Sequence, residues 1–180
     1  DELLAGSLEA DFGTLCHVLL EEKLGTRTGG FRVPANLRME LGDSALESVI
    51  RDAESLVSRF LASPAAMLLD GALTVETEVP FLLRYERNRR HAFISGVIDL
   101  LLERNDEILI IDFKTDRFLR HGEYHTQAEV YREAVRQWTK KPIRCYIAYL
   151  RNGSLVEVPP RPLPDFFAIT GSILPDPTSE

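Results

Sequence analysis

A single α/β domain, with a mixed central sheet of about five strands flanked by helices, is the fold this 180-residue chain predicts. Two observations carry that expectation. Apolar residues recur at helical spacing over the first third of the chain and again at 123–138. Between and after these stretches lie short segments rich in Val, Ile, Leu, Phe and Thr, parted by charged turns. Helices, then a run of strands, then helix and strand again require a sheet of mixed direction.

The elements follow in order. Residues 9–24 place Phe12, Leu15, Cys16, Leu19 and Leu20 on one helical face, and a Gly/Thr-rich loop follows at 25–31. A short helix is expected around 35–41 and a longer one from Ser44 to about Ala62, capped by Asp43 or Ser44 and stopped by Pro64. Residues 64–69 allow one more helical turn. Three strands are expected at 72–86, 91–103 and 107–115, with Pro80 marking an edge or a bulge in the first. A fourth follows at 143–150 and a fifth at 154–158, turned at Asn152-Gly153. The Pro-rich tail, 159–180, reads as an extended arm. This divides the domain into a helical part (about 1–70), a sheet core (about 72–158) and the tail.

Composition narrows the possible functions. At 44% hydrophobic and 27% charged the chain is neither disordered nor a coiled coil. No apolar run reaches the roughly 20 residues that cross a bilayer, so no membrane is expected. No secretory signal is recognisable either; the first residue, Asp1, suggests an excised domain or a processed fragment. Cys16 and Cys145 make neither a disulfide framework nor a four-cysteine cluster, which points to a reducing cytoplasm. A net charge of −7 argues against a simple nucleic-acid binder. One cluster is positive: Arg84, Arg87, Arg89 and Arg90, with His91 beside them and Glu86 against them. It is either a local contact for a polyanion or the exposed end of a hairpin. There is no G-x-S-x-G elbow and no G-x-x-x-x-G-K-[ST] phosphate loop, so any ATP-driven motor lies elsewhere.

The chemistry concentrates in Gly96-Val-Ile-Asp99-Leu100 and Ile110-Ile-Asp112-Phe-Lys114-Thr115. Both segments are apolar enough to be buried strands, yet each carries a carboxylate, which burial penalises unless it is paired or bound to a metal. With a two-residue loop at Asn105-Asp106, Arg104 pairs with Glu107 and Asp99 falls opposite Asp112, about 4.5–5.5 Å away at Cβ. Asp112 and Lys114, two apart, share one face. A one-residue slip would separate the two acids. A divalent cation between them, held by oxygen ligands and so Mg²⁺ or Mn²⁺, relieves their repulsion. An internal Asp–Lys salt bridge accounts for D-x-K equally well.

These motifs, with Gly13-Thr-Leu-Cys-His17, Glu78-Val-Pro-Phe81 and Gln127-Ala-Glu-Val-Tyr131, resemble the PD-(D/E)XK nuclease superfamily in its RecB-like branch. The chain is most similar to the C-terminal nuclease domain of AddA-type helicase–nucleases, over about residues 13–131. The resemblance implies a restriction-endonuclease-like core and an Mg²⁺-dependent DNA exonuclease, with Mn²⁺ as substitute and no iron–sulfur cluster. It implies that Asp99, Asp112 and Lys114 are catalytic and that His17, Asp99, Asp112 and the Phe113 carbonyl hold the metal. Gln127 and Tyr131 would line the DNA path, with Glu78, Thr115 and Arg117 behind the ligands or on the DNA. Single-stranded ends would come from a helicase motor in the same chain or in a partner subunit, in double-strand break repair or recombination. Lys114 is expected to stay an ammonium, because its carboxylate neighbours favour that form. The alternative is a non-catalytic module that keeps the fold to hold DNA or a partner protein.

Overall fold

The computed structural model describes residues 2–26, 32–115 and 124–170. Three helices come first: α1 (Glu2–Lys23), α2 (Ala35–Glu40) and α3 (Asp43–Leu61), followed by a 3₁₀ segment at Pro64–Leu69. Strands β1 (Thr74–Arg87), β2 (Arg90–Glu103) and β3 (Ile108–Lys114) lead to α4 (His125–Arg136). Strands β4 (Ile143–Tyr149) and β5 (Ser154–Val158) and the short α5 (Phe166–Thr170) complete the chain.

The five strands form one sheet in the order β1-β2-β3-β4-β5. Only β3 and β4 run parallel, joined through α4; the other pairs are antiparallel. This is the expected mixed α/β sheet, and β1, with Pro80 in it, is an edge. The β2–β3 register pairs Leu100 with Ile111 and Glu103 with Ile108, as a two-residue loop demands, and Arg104 N–H donates to the Glu107 carbonyl at 3.0 Å. Asn88 and Arg89, both at positive φ, close the β1–β2 hairpin.

Each face of the sheet has its own core. On one side α1, α2 and α3 bring Leu15, Leu19, Leu37, Val57 and Phe60 against Leu100, Leu102, Leu109, Ile111 and Phe113. On the other, α4 lays Ala128, Tyr131 and Val135 on Ile98, Leu101, Ile108, Ile110 and Ile147. A buried ion pair fastens α4: Arg132 donates to Glu129 and to the Val158 carbonyl, while the Glu129 carboxylate also accepts the Arg161 N–H at 2.8 Å.

Three expectations need correction. Helix α1 starts at Glu2 rather than near residue 9, because Glu2–Leu8 is itself rich in helix-forming Leu, Ala and Glu. Neither Asp43 nor Ser44 caps α3: Gly42 occupies the cap with no side-chain bond, and Asp43 is the first helical residue, where its charge suits the helix dipole. The tail is not extended throughout. Asp165 Oδ1 accepts the Phe167 N–H at 3.0 Å, and the Phe166 and Phe167 rings close on Tyr85 at 5.1 and 5.5 Å, giving apolar cover that an extended arm would lack. Among the described residues, no helix is long and apolar enough to cross a membrane.

Candidate active site

Side-chain alternation breaks once on each of two neighbouring strands, and the break builds the site. Val75 and Thr77 face the α1 side, whereas Val79 and Phe81 face α4. Leu100 and Leu102 face the first core, whereas Ile98 faces the second. Glu78, at φ 51°, and Asp99 occupy the change-over, and both turn toward His17 of α1. Gly13 faces the end of β3, where a Cβ would lie in ordinary contact with Thr115 Oγ1 at 3.4 Å, and His17 follows one turn further along.

His17 Nδ1 lies 3.4 Å from Glu78 Oε1, and His17 Nε2 lies 3.8 Å from Asp99 Oδ2. One ligand atom from each of the three falls within 4.8 Å of the others. The β2–β3 ladder ends at Leu100 and Ile111; beyond it Asp99 Oδ2 accepts the Phe113 N–H at 2.8 Å, a side chain standing in for a backbone acceptor. Asp112, next to Phe113 and buried, has Lys114 Nζ 2.6 Å from its Oδ2. Lys114 is thus the direct ion-pair partner of Asp112. Lys114 Nζ also sits 4.8 Å above the Tyr124 ring.

Electrostatically the cluster is under-compensated. Burial, reinforced by the neighbouring Asp112 charge, pushes Asp99 from 3.8 up to about 6 despite the opposing pull of His17. Burial also raises Asp112, against Lys114. His17 is pulled down by burial, but its Glu78 hydrogen bond and the Asp99 charge outweigh that and leave it raised. The Tyr131 hydroxyl is raised by burial and then by Asp112 and Asp99. Buried carboxylates whose neighbours do not offset their desolvation, beside an imidazole, form a donor set for a hard divalent cation. Cys16 and Cys145 are buried free thiols, each pushed up to about 12 by burial, so neither is an activated nucleophile.

The residues singled out in the sequence divide as follows. His17 and Asp99 come together with the Phe113 backbone between them, whereas Asp112, outside the 4.8 Å group, stands beside Asp99 and holds Lys114. Glu78, expected behind the ligands, stands among the three closest groups. Gln127 Nε2 donates to Tyr131 OH at 2.8 Å, and both line a small cleft with Asp112 and Tyr124. Phe81 packs edge-on to Tyr131 at 5.6 Å, against Gly96, where a Cβ would collide with its ring at 2.8 Å. Thr115 approaches Gly13, and its carbonyl accepts from Arg151. Arg117 lies outside the described residues. Sequence reasoning missed Tyr124, whose only signal is an aromatic one helical turn before Ala128.

The sequence model of the PD-(D/E)XK nuclease superfamily matches residues 2–173. Several curated relatives are ATP-dependent helicase/nuclease subunits by name. That of Anoxybacillus flavithermus is 30% identical over 118 residues, covering 61% of this chain and 10% of the relative. That of Bacillus licheniformis is 27% identical over 178 residues, covering 84% and 14%. That of Staphylococcus epidermidis is 25% identical over 171 residues, covering 81% and 14%. The chain thus spans about a seventh or less of these relatives' length.

Proposed function

Because the chain belongs to the PD-(D/E)XK nuclease superfamily, we propose that it is a divalent-metal-dependent deoxyribonuclease module, an exonuclease, hydrolysing phosphodiester bonds in DNA. One observation carries this reading: His17, Glu78 and Asp99 crowd within 4.8 Å beside a buried Asp112 whose carboxyl stays raised although Lys114 Nζ lies 2.6 Å away. The Lys114 ammonium alone does not offset the burial of these carboxylates.

Asp99, Asp112, His17 and Glu78, with the Phe113 carbonyl, are the groups to hold Mg²⁺ or Mn²⁺; the donor chemistry fits a hard cation better than zinc. Such a cation supplies Lewis-acid polarisation of the phosphoryl oxygen and an acidified water. The chain does the rest. Asp112 holds Lys114 Nζ against the reacting face, where the ammonium offsets the negative charge that develops as water adds to phosphorus and the P–O bond breaks. The Phe113 N–H fixes Asp99. The Gln127–Tyr131 pair presents an amide and a phenol beside Asp112 for the substrate backbone.

The named relatives extend the proposal: the domain is the cleaving part of a helicase–nuclease in break repair or recombination, receiving single strands from a motor in a partner subunit or in the same polypeptide. Acidic net charge suits a module to which DNA is delivered. The test is hydrolysis of linear single-stranded DNA with Mg²⁺ or Mn²⁺, wild type against Asp112→Ala. Loss in the variant is expected; equal rates in the two proteins would remove the site.

A further inference from the structure

Beyond the carboxylates, the face they share continues outward along the β1–β2 hairpin. Counting in steps of two from Glu78 reaches Leu82 and Arg84 on β1; from Asp99 it reaches Val97, Phe93 and His91 on β2. Leu82 is 63% exposed, Phe93 62% and Val97 41%, and Arg84 pairs across the strands with Phe93. The His91 ring stands edge-on to Phe93 at 6.3 Å. The opposite face of the same hairpin is covered, with Leu83 and Ile94 packed against Val130, Ala134 and Phe166. One side of this ribbon therefore anchors it while the other offers an aromatic, two aliphatics, an arginine and an imidazole.

From this we infer that the outer face of the β1–β2 hairpin is a binding strip for single-stranded DNA, Phe93 stacking on a base and Arg84 meeting the phosphates. The inference rests on the nuclease reading above and gives that site its substrate path. Charge complementarity selects the occupant: the chain carries −7 overall, yet Arg84 and Arg89, with the His91 imidazole beside them, stand at the hairpin end, opposed there by Glu86, 3.5 Å from Arg84, while Arg90 lies over the Phe167 ring on the covered side. Arg87 is held by Asp165 at 3.3 Å and takes no part. Geometry agrees as well. Six residues of strand separate Phe93 from Asp99, about 20 Å, so a strand laid along the ribbon arrives at the carboxylates. Exposed aromatics beside cations suit unpaired bases, which offer their π-faces.

The test uses the full 180-residue chain and a fluorescein-labelled 20-nucleotide oligo-dT in EDTA, with Kd read by anisotropy. No cleavage is needed, so the outcome is independent of the Asp112→Ala assay. Phe93→Ala should weaken binding about tenfold, Phe93→Tyr should restore it, and Arg84→Ala should make the slope of log K against log salt shallower by about 0.7. Trp138→Ala, an exposed aromatic elsewhere, should bind as wild type. Equal Kd for wild type and Phe93→Ala would overturn the proposal and leave the strip to a protein partner. So would an equal loss in Trp138→Ala, or no wild-type binding at 100-fold lower salt than the cell's. Melting curves of each variant establish that these exposed substitutions leave the fold intact.

Discussion

Two sets of charges are buried among the described residues, and they are treated in opposite ways. On α4, Glu129 and Arg132 are almost fully enclosed and nearly self-sufficient: the carboxylate takes Arg132 and the Arg161 N–H, and the guanidinium reaches the Val158 carbonyl, leaving only Nε without a partner. Across β3, Asp99 and Asp112 are nearly as deep, but the Phe113 N–H on the one and Lys114 on the other do not offset their burial, and both are raised. The first set holds β5 and the tail onto the helix. The second holds an electrostatic deficit that a cation can relieve. Burial of charge alone does not mark a functional site; burial without compensation does.

The largest effect should come from removing a group of the second set. Asp112→Asn keeps the shape and deletes the charge, so it should cost several kcal/mol of transition-state stabilisation, at least a hundredfold in the rate of single-strand hydrolysis, with thermal stability intact. The matching change in the first set should do the reverse. Arg132→Met leaves Glu129 buried and unpaired, so it should destabilise by about 3–5 kcal/mol and lower Tm by roughly 10 °C, as read by calorimetry. If Asp112→Asn unfolded the protein while Arg132→Met did not, the two sets would have exchanged roles.

The same contrast decides what was legible from sequence. The β2–β3 register could be read because a two-residue loop leaves little choice. Asp112 and Lys114 then share a face by strand geometry alone. Glu78's place beside His17 could not be read so, because it depends on a positive φ at a glutamate and on a switch of faces in both strands. Glu129 and Arg132 look like an ordinary exposed i,i+3 pair; only the packing of residues 158–161 over them turns them inward. The α5 turn escaped for a similar reason, since its rings are anchored by Tyr85, far away in sequence.

A subtler consequence is the pH dependence of the metal-free protein. A carboxyl raised from 3.8 to about 6 holds a proton in the folded state that the unfolded chain has released. Asp99 therefore contributes stability at low pH that is lost as pH rises from about 4 through 6, on the order of 3 kcal/mol in all. His17, raised above 6.5, stabilises below that value and ceases to as pH climbs through its folded pKa, so both slopes have the same sign. In EDTA, Tm should be lower at pH 8 than at about pH 4, and Asp99→Asn should remove most of the part of that fall that lies below about pH 6. Mn²⁺ at pH 8 should raise the wild-type Tm and leave that of Asp99→Asn little changed. A Tm that climbs with pH in EDTA, with no change in Asp99→Asn, would mean that the carboxylates are already compensated.

The smallest effect belongs to charges that are not buried at all. Arg144 grips Glu157 across β4 and β5 with two bonds, 3.0 Å to Oε1 and 2.6 Å to Oε2, and this bond holds the Glu157 carboxyl below its ordinary range. By geometry alone it is a better-formed pair than Lys114 and Asp112. Yet both side chains are nearly half exposed, at 45% and 44%, so water already solvates each partner and little is lost on separating them. Arg144→Gln should therefore cost about 0.2–1 kcal/mol, a Tm change of no more than about 4 °C that shrinks further in 0.5 M NaCl. A loss as large as that of Arg132→Met would show that bond geometry rather than desolvation sets the worth of a charged pair in this fold, and the contrast between the two buried sets would lose its physical basis.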